Sequence, residues 1–212
     1  MAEFNFDTAT ADELWDWCLT KYRTRNPVFK LMIHNFYRKI HRIVTLLDVN
    51  DHILEVGCGA GESSRRILSM LSGQKFDVSE IDERYIAKLK ENNFPLPVRQ
   101  ESVLDLKRKD KEFDCVFLLE VLEHVPEYEC ALKEVFRVSR KYVVISVPNE
   151  PLWRILNMCR GKYLKNWGNT PTHVNHWSIG GIRRLVSRYG NVLEIYTPVP
   201  WTIVLAKKNE HG

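Results

Sequence analysis

The spacing of apolar residues changes along this chain at about residue 50. Residues 29–47 place apolar side chains three or four positions apart, which predicts one buried face of a helix. An earlier helix is predicted to begin at Thr10, because Thr10 and Glu13 have the spacing of a capping box. Asn26-Pro27 separates these two segments. The chain is therefore predicted to open with two helices.

After residue 50, short apolar runs alternate with amphipathic stretches. Strands are predicted over residues 53–56, 75–80, 97–101, 113–119, 142–147, 192–196 and 201–206. Helices are predicted over residues 62–71, 82–91, 127–138 and 152–159. This alternation is typical of a doubly wound parallel sheet. We expect one domain made of a helical cap (1–48), a core (49–147), an insertion (148–177) and a C-terminal helix with a hairpin (178–212).

Composition restricts the class of protein further. The 212 residues are 44% hydrophobic, and no apolar run approaches the roughly 20 residues of a membrane span. The N-terminus lacks the basic start and apolar run of a signal peptide, and the five cysteines form no CxxC pair. We therefore expect a cytoplasmic protein without a transmembrane segment. The net charge of +4 is compatible with an anionic substrate or a membrane surface but is too small to indicate either.

A glycine cluster follows the first predicted strand. Gly57, Gly59 and Gly61 lie between this strand and a helix, where glycines permit a tight turn and the close approach of a ligand. A dinucleotide fingerprint would need its third glycine at position 62, which is occupied by Glu62. A carboxylate there would repel a pyrophosphate, and no Gly-Lys-Ser/Thr sequence of a P-loop is present. The loop therefore favours a nucleotide-like ligand without phosphate.

Two acidic residues near the loop suggest a cationic ligand that contains a ribose. Glu55 precedes the first glycine by two positions and could receive an ammonium group, directly or through water. Glu80 follows Gly61 by 19 positions, at the end of the second strand, where an acidic side chain binds ribose hydroxyls. S-adenosylmethionine has the required sulfonium, amino group and ribose, and it has no phosphate.

Two motifs resemble those of a known family. ILEVGCGAGES (residues 53–63) resembles the first motif of class I S-adenosylmethionine-dependent methyltransferases. FDCVFLLEVLEHV (residues 113–125) resembles the fourth-strand motif of their ubiquinone and menaquinone biosynthesis-like branch, the type 11 and type 12 methyltransferases. The likeness covers roughly residues 51–177. It implies an α/β, Rossmann-like three-layer sandwich with a seven-stranded, mostly parallel sheet and an antiparallel last strand, and S-adenosyl-L-homocysteine as the product.

The resemblance also implies most of the cofactor-binding residues. Glu80 stands where the family usually has Asp, and Ser102 stands where it often has Asp beside the adenine. Tyr22 is added because it precedes the break between the first two helices. The predicted cofactor-binding residues are Glu55, Gly57, Cys58, Gly59, Gly61, Glu80, Ile81, Ser102, Val103, Leu119, Glu120 and Tyr22.

Methyl transfer requires the alignment of a nucleophile and, for a hydroxyl acceptor, the removal of its proton. Glu120 and His124 follow the fourth predicted strand, and His173 and His176 end the long insertion. Histidine is the natural base near neutral pH, so these four residues are the predicted catalytic residues. A structural role in the loops is the open alternative for each histidine.

A metal site is a further hypothesis for the same residues. Glu120, Glu123, His124 and His173 resemble the ExxEH motif and later histidine of magnesium-dependent small-RNA 3′-terminal 2′-O-methyltransferases and of some quinone O-methyltransferases. A divalent cation would bind vicinal hydroxyls and lower the pKa of the acceptor. Relatives without a metal also contain LEH, so a structural role remains open.

Aromatic residues in the first two helices and in residues 152–159 predict an apolar pocket beside the cofactor. The predicted function is O-methylation of a small molecule with an aromatic, lipid-like or sugar hydroxyl, by a monomer or a homodimer. The alternatives are a metal-assisted RNA ribose 2′-O-methyltransferase and a cofactor-binding module without catalysis. The mild charge speaks against nucleic acid, and the missing third glycine speaks against a nicotinamide oxidoreductase.

Overall fold

The computed structural model describes residues 5–6 and 8–209 of the chain. Its strands are β1 (His52–Val56), β2 (Lys75–Glu80), β3 (Val98–Gln100), β4 (Phe113–Leu119), β5 (Ser139–Pro148), β6 (Gly190–Tyr196) and β7 (Trp201–Lys208). Within the described residues they form one sheet in the order β3-β2-β1-β4-β5-β7-β6. The first five strands pair in parallel, and β7 pairs antiparallel with both β5 and β6. The predicted seven-stranded sheet with an antiparallel last strand is confirmed.

Helices cover both faces of this sheet. They are α1 (Ala11–Leu19), α2 (Pro27–Val44), α3 (Glu62–Leu68), α4 (Glu83–Glu91), α5 (Tyr128–Val138), α6 (Leu152–Cys159) and α7 (Ile179–Val186). Alternate residues of β4 enter opposite cores, because successive side chains of a strand point to opposite faces. Cys115 and Phe117 pack against α2 and α4, whereas Val116 and Leu118 pack against α5 and α7. The fold is therefore the predicted three-layer sandwich.

Local sequence sets several helix starts. The Thr10 side chain accepts from the N–H of Glu13, and the Glu13 carboxylate accepts from the N–H of Thr10, which forms the predicted capping box. Asn26 caps α2, and Pro27 occupies its first position. Ser178 caps α7 through the N–H of Gly181. Each cap satisfies backbone donors that the first turn leaves without a partner in the helix.

Several element ends differ from the sequence prediction. The first helix ends at Leu19 instead of near Lys21, and α3 ends at Leu68 instead of Leu71. Strand β5 begins three residues early, at Ser139, because the basic residues after it hide this start from a search for apolar runs. The division into cap, core, insertion and C-terminal segment stays a prediction, and parts of its outer segments (residues 1–4, 7 and 210–212) lie outside the described residues.

The carboxyl ends of the parallel strands bring the predicted site residues to one edge of the sheet. β1 lies between β2 and β4, so the loops after these three strands are neighbours. This is the place where ligands bind in open α/β sheets. Across the described residues, no helix is both long and apolar enough to cross a membrane.

Candidate functional site

A cavity of about 1640 Å³ opens at the carboxyl edge of the parallel strands. One part, which we call the glycine-loop end, is lined by the loops after β1, β2 and β3. A second part, which we call the floor, is formed by Glu120, Glu123, His124 and His173. A third part, the mouth, is formed by the exposed residues Arg160, Lys162 and Lys165. Each part brings a different chemistry to the same space.

Backbone geometry shapes the glycine-loop end. Gly57 has φ +75°, and a Cβ there would lie 2.6 Å from Cγ2 of Val121. Gly61 also has φ +75°, and its Cβ would lie 2.6 Å from the Phe94 ring. The N–H groups of Gly57 and Cys58 donate to the carbonyl oxygen of Ser79, at 2.9 and 3.0 Å. The loop is thus tied to β2 in a conformation that these two positions reserve for glycine.

Glu80 holds the same loop from the end of β2. Its Oε2 accepts from the N–H of Gly59 at 2.7 Å, and its Oε1 accepts from the N–H groups of Ile81 and Asp82 at 2.8 and 3.0 Å. Burial raises the pKa of this carboxyl group, although the three N–H donors oppose the shift. Glu80 and Ile81 both line the cavity, so a carboxylate stands where the sequence predicts a ribose contact.

The other residues predicted to bind a cofactor divide into two groups. Most lie on the cavity wall: Tyr22, Gly57, Cys58, Gly59, Ser102, Val103, Leu119 and Glu120. Gly61 lies behind the wall, where it begins α3. The Tyr22 hydroxyl is 3.0 Å from that of Tyr37, and burial raises the pKa of Tyr22 well above its usual range. The Ser102 hydroxyl accepts from the N–H of Leu104 at 3.1 Å, which fixes the turn after β3.

Glu55 lies beneath the loop and is not part of the cavity wall. Its side chain is buried, and its Oε2 accepts from the hydroxyl of Ser64 at 2.5 Å. Burial raises the pKa of this carboxyl group to about 7. The sequence predicts that Glu55 faces the ligand. Strand alternation and the turn into α3 direct the Glu55 side chain toward the start of that helix. Glu55 therefore holds the start of α3 through Ser64, whereas its buried Oε1 has no hydrogen-bond partner among the described residues. Its predicted contact with an ammonium group stays a prediction.

Glu120 connects the end of β4 to β5. Its backbone is in the left-handed region, with φ +57°, and its N–H lies 3.0 Å from the hydroxyl oxygen of Ser146. The Ser146 hydroxyl donates to Oε1 of Glu120 at 2.8 Å. Burial raises the pKa of Glu120, whereas the charge of Lys21 and the bond from Ser146 lower it in part. The carboxylate is thus oriented toward β5.

Three of the four predicted metal ligands come together on the floor. Ligand atoms of Glu123, His124 and His173 all lie within 4.8 Å of one another, and Glu120 is not a member of this group. The His124 Nδ1 lies 3.0 Å from the carbonyl oxygen of Thr172, which leaves its Nε2 3.9 Å from Oε1 of Glu123. Within the described structure, the buried Oε2 of Glu123 and Nδ1 of His173 have no hydrogen-bond partner. Two buried polar atoms without partners in one cluster of possible ligands indicate a site shaped for a ligand or an ion.

The histidines differ in their surroundings. The His173 ring stacks on Trp153 at 5.7 Å and is 5.0 Å from the His124 ring, and burial lowers the pKa of His173 to about 3. Partial burial also lowers the pKa of His124. His176 does not line the cavity, and its Nε2 is 2.6 Å from Oδ1 of Asn169. This places His176 in the loop-stabilising role that the sequence left open.

Sequence reasoning missed several residues of the floor and walls. Lys21 lines the cavity. Burial alone would lower its pKa, but nearby negative charge, that of Glu120 foremost, raises it. Thr170 also lines the cavity, and its hydroxyl accepts at 3.0 Å from the indole N–H of Trp153, which lies in a helix that the sequence does predict as a wall. Trp201, at the start of β7, packs 6.1 Å from the Trp153 ring. A lysine two residues after a helix carries no motif, so only the fold reveals its position.

Comparison with known proteins finds similarity to methyltransferases. Residues 54–145 match a family model described as a methyltransferase domain. Ubiquinone biosynthesis O-methyltransferase of Rickettsia bellii (strain OSU 85-389) is 31% identical over 136 residues, which are 59% of this chain and 55% of that protein. Sterol 24-C-methyltransferase erg6 of Aspergillus fumigatus is 29% identical over 101 residues, 45% of this chain and 26% of that protein. The chain thus spans about half the length of the ubiquinone biosynthesis relatives that it matches.

Solved structures share the fold at low identity. Magnesium protoporphyrin IX methyltransferase (ChlM) from Synechocystis PCC 6803 with bound SAH has a TM-score of 0.67 at 15% identity, and the match covers 94% of this chain and 98% of that one. The [4+2]-cyclase SpnF has a TM-score of 0.61 at 12% identity, with 80% of each chain covered. Because a cyclase shares this fold, the architecture alone does not decide the chemistry.

Proposed function

We propose that this chain, which carries a methyltransferase domain of the class I S-adenosylmethionine-dependent family in its ubiquinone biosynthesis-like branch, transfers a methyl group from S-adenosylmethionine to a hydroxyl of a small-molecule acceptor. One observation carries the proposal: a single cavity joins the glycine-loop end to the floor. Its volume of about 1640 Å³ exceeds the roughly 300–1,000 Å³ of a pocket for one small ligand. It therefore has room for a cofactor and an acceptor together.

The glycine-loop end is the proposed cofactor site. Gly57 and Gly59 have no side chains, so the amino-acid part of S-adenosylmethionine can approach the backbone of the loop closely. The remaining lone pairs of Glu80 are available to its ribose hydroxyls. Ser102 and Val103 line the proposed adenine side, and Leu119 lines the methionine side. When bound, S-adenosylmethionine supplies a methyl carbon activated by its sulfonium. Glu55 contributes by holding the start of α3 through Ser64.

We assign His124 as the base that removes the acceptor proton. Its Nδ1 faces the carbonyl oxygen of Thr172, so the proton resides on Nδ1 and the lone pair of Nε2 is free. The lowered pKa keeps the ring neutral at neutral pH, which a proton acceptor requires. His173 and Glu120 position the acceptor beside it, and His176 stabilises the loop through Asn169. Burial and stacking fix the orientation of the His173 ring.

A divalent cation is a second use of the same floor, and the unpartnered atoms of Glu123 and His173 favour it. These two residues and Nε2 of His124 would hold the cation, which would lower the pKa of an acceptor hydroxyl. The two uses compete for one lone pair of His124. Lys21 beside Glu123 adds a positive charge that a divalent cation would have to displace. Metal-assisted methylation of an RNA ribose is the corresponding alternative function.

Calorimetry with S-adenosylhomocysteine tests the cofactor proposal directly. We expect the product to bind the wild type and NAD not to bind. Glu80→Gln is expected to weaken binding of the product about tenfold or more, because one charge-assisted contact to ribose is lost. Glu129→Gln, an exposed glutamate paired with Arg188, is the matched control and should bind as the wild type. Absence of binding to the wild type contradicts the proposal.

Titration with MgCl2 and MnCl2 separates the two uses of the floor. A cation site predicts binding heat that Glu123→Gln abolishes, together with loss of methyl transfer to a catechol in EDTA. A purely basic His124 predicts neither effect. A methylated RNA 3′ end in place of a methylated catechol would establish the RNA alternative.

The five cysteines are free thiols, which supports the proposed cytoplasmic location.

A further inference from the structure

Positive charge is concentrated in two segments that form walls of the cavity. Residues 20–47 and 152–177 contain eleven of the 31 lysines and arginines and none of the 27 aspartates and glutamates. The rest of the chain is therefore acidic, with 20 basic and 27 acidic residues. All carboxylates that line the cavity come from residues 62–127. The modest net charge of the whole chain hides this asymmetry. Four of the eleven cations line the cavity: Lys21, Arg160, Lys162 and Lys165.

Three cations of these walls meet at the mouth. Arg160, Lys162 and Lys165 line the cavity there. None of the three forms an ion pair with another described residue. Arg84 and Arg108, in contrast, do form ion pairs, with Asp82 and Asp77. The positive charge of the mouth is thus left without an anionic partner among the residues that the structure describes.

Arg160 is held in place rather than extended into solvent. Its Nη2 donates to the Oδ1 of Asn157, and its guanidinium lies 5.5 Å from the centre of the Phe29 ring. Asn157 is buried, and its Nδ2 donates to the carbonyl oxygen of Gly168 at 2.9 Å. This fixed orientation reduces the entropy lost when a ligand binds the guanidinium.

The helix that carries Arg160 also reaches the floor. Trp153, Leu156, Asn157 and Arg160 recur three or four positions apart and all line the cavity, so they share one face of α6 and its last turn. Trp153 stacks on His173 of the floor. Arg160 lies seven positions after Trp153, which corresponds to about 10 Å along a helix. An apolar wall of Phe29, Leu156, Trp153 and Trp201 fills this interval.

From this arrangement we infer that the acceptor is an amphipathic anion, with its hydroxyl at the floor and a carboxylate or phosphate bound at the mouth by Arg160, assisted by Lys162 and Lys165. The bound acceptor extends along the face of α6 from Trp153 to Arg160, about 10 Å along the helix axis. Arg160 is thereby a specificity-determining residue. The inference rests on the proposed function because it names the acceptor class of the same site.

Binding of a matched acid and amide tests the inference. The probes are caffeic acid, a catechol with a carboxylate, and its neutral amide, titrated into the protein after saturation with S-adenosylhomocysteine. We expect the wild type to bind the acid about tenfold or more tightly than the amide, because a charge-assisted contact is added. Arg160→Gln should remove this preference, and Arg160→Lys should retain part of it. Arg188→Gln, at an arginine paired with Glu129, is the control and should keep the preference in full.

Each other outcome overturns the inference. Equal binding of acid and amide by the wild type, no binding of either at millimolar concentration, or an unchanged preference in Arg160→Gln all contradict it. The inference is also contradicted if the binding that Arg160→Gln loses is only that to phosphatidylglycerol vesicles, or only that to an RNA oligonucleotide. The first titration separates this result from the proposed function. A protein that binds S-adenosylhomocysteine but shows no acid preference refutes only the acceptor class.

Discussion

The glycine-loop end and the floor are built in different ways. The glycine-loop end consists mainly of backbone from two short stretches, residues 57–61 and 79–82, tied together by hydrogen bonds to Ser79 and Glu80. The floor consists of side chains from the loop after β4 and from the distant insertion, with Lys21 added from the N-terminal cap. The first is encoded by adjacent residues, and the second by the tertiary fold. We therefore expect substitutions at the two ends to fail in different ways.

The largest expected effect separates chemistry at the floor from binding at the loop. His124→Asn keeps a side-chain donor toward Thr172 but removes the basic nitrogen. We expect methyl transfer to caffeic acid to fall about 10²- to 10⁴-fold, with the affinity for S-adenosylhomocysteine changed less than about twofold. Rates with labelled cofactor and calorimetry on the same preparation measure both. His34→Asn, on the exposed face of α2, is the control, and an equal loss of binding and rate in His124→Asn would contradict the division.

The next effect tests how strictly the backbone of the loop is defined. Gly57→Ala adds a Cβ that would lie 2.6 Å from Val121 at a positive φ, so we expect the free energy of unfolding to fall by about 2–5 kcal/mol. Urea denaturation measures this change. Gly161 is the matched position at the other end of the cavity: its φ is +68°, but nothing lies within 4 Å of the added Cβ. Gly161→Ala should cost only about 1–2 kcal/mol. Equal losses would show that crowding at Gly57 is unimportant.

The smallest effect concerns the buried acid under the loop. Because the folded pKa of Glu55 is raised to about 7, the folded state keeps a proton that the unfolded state has lost. Stability therefore falls as pH rises from the ordinary value of 4.5 to about 7, and the loss is complete above that. Glu55→Gln should remove on the order of 2–3 kcal/mol of this pH dependence. Thermal and urea unfolding between pH 5 and 8 measure it, with exposed Glu83→Gln as control. An unchanged profile in Glu55→Gln would assign the dependence to other groups.

The sequence was sufficient for the fold and for most of the glycine-loop end. The residues 53–63 specify a strand, a turn and a helix start by local rules, and Gly57 and Gly61 have the positive φ that such a turn needs. Glu80 is also found by counting, because it lies at the end of the next strand. Spacing does not show that the Glu55 side chain lies outside the cavity wall, since its direction depends on the packing of α3 against β1.

The floor and mouth were only partly predictable. The motif around Glu123 and His124 is local, but its meeting with His173 depends on the path of the insertion. Lys21, Ser146 and Thr170 gain their roles from contacts with residues more than 15 positions away. The two basic segments are visible in the sequence, but a solvated helix face explains them equally well until the fold places Arg160, Lys162 and Lys165 at the cavity. Acceptor recognition is therefore a property of the assembled fold.

Glu120 has one more consequence, for protein evolution in the laboratory. A residue with a side chain pays a conformational penalty at φ +57°, which glycine avoids and asparagine reduces. A library selected only for heat resistance is expected to accumulate glycine or asparagine at position 120. The same library selected for turnover is expected to retain glutamate, so this position would record which of the two demands had governed the lineage.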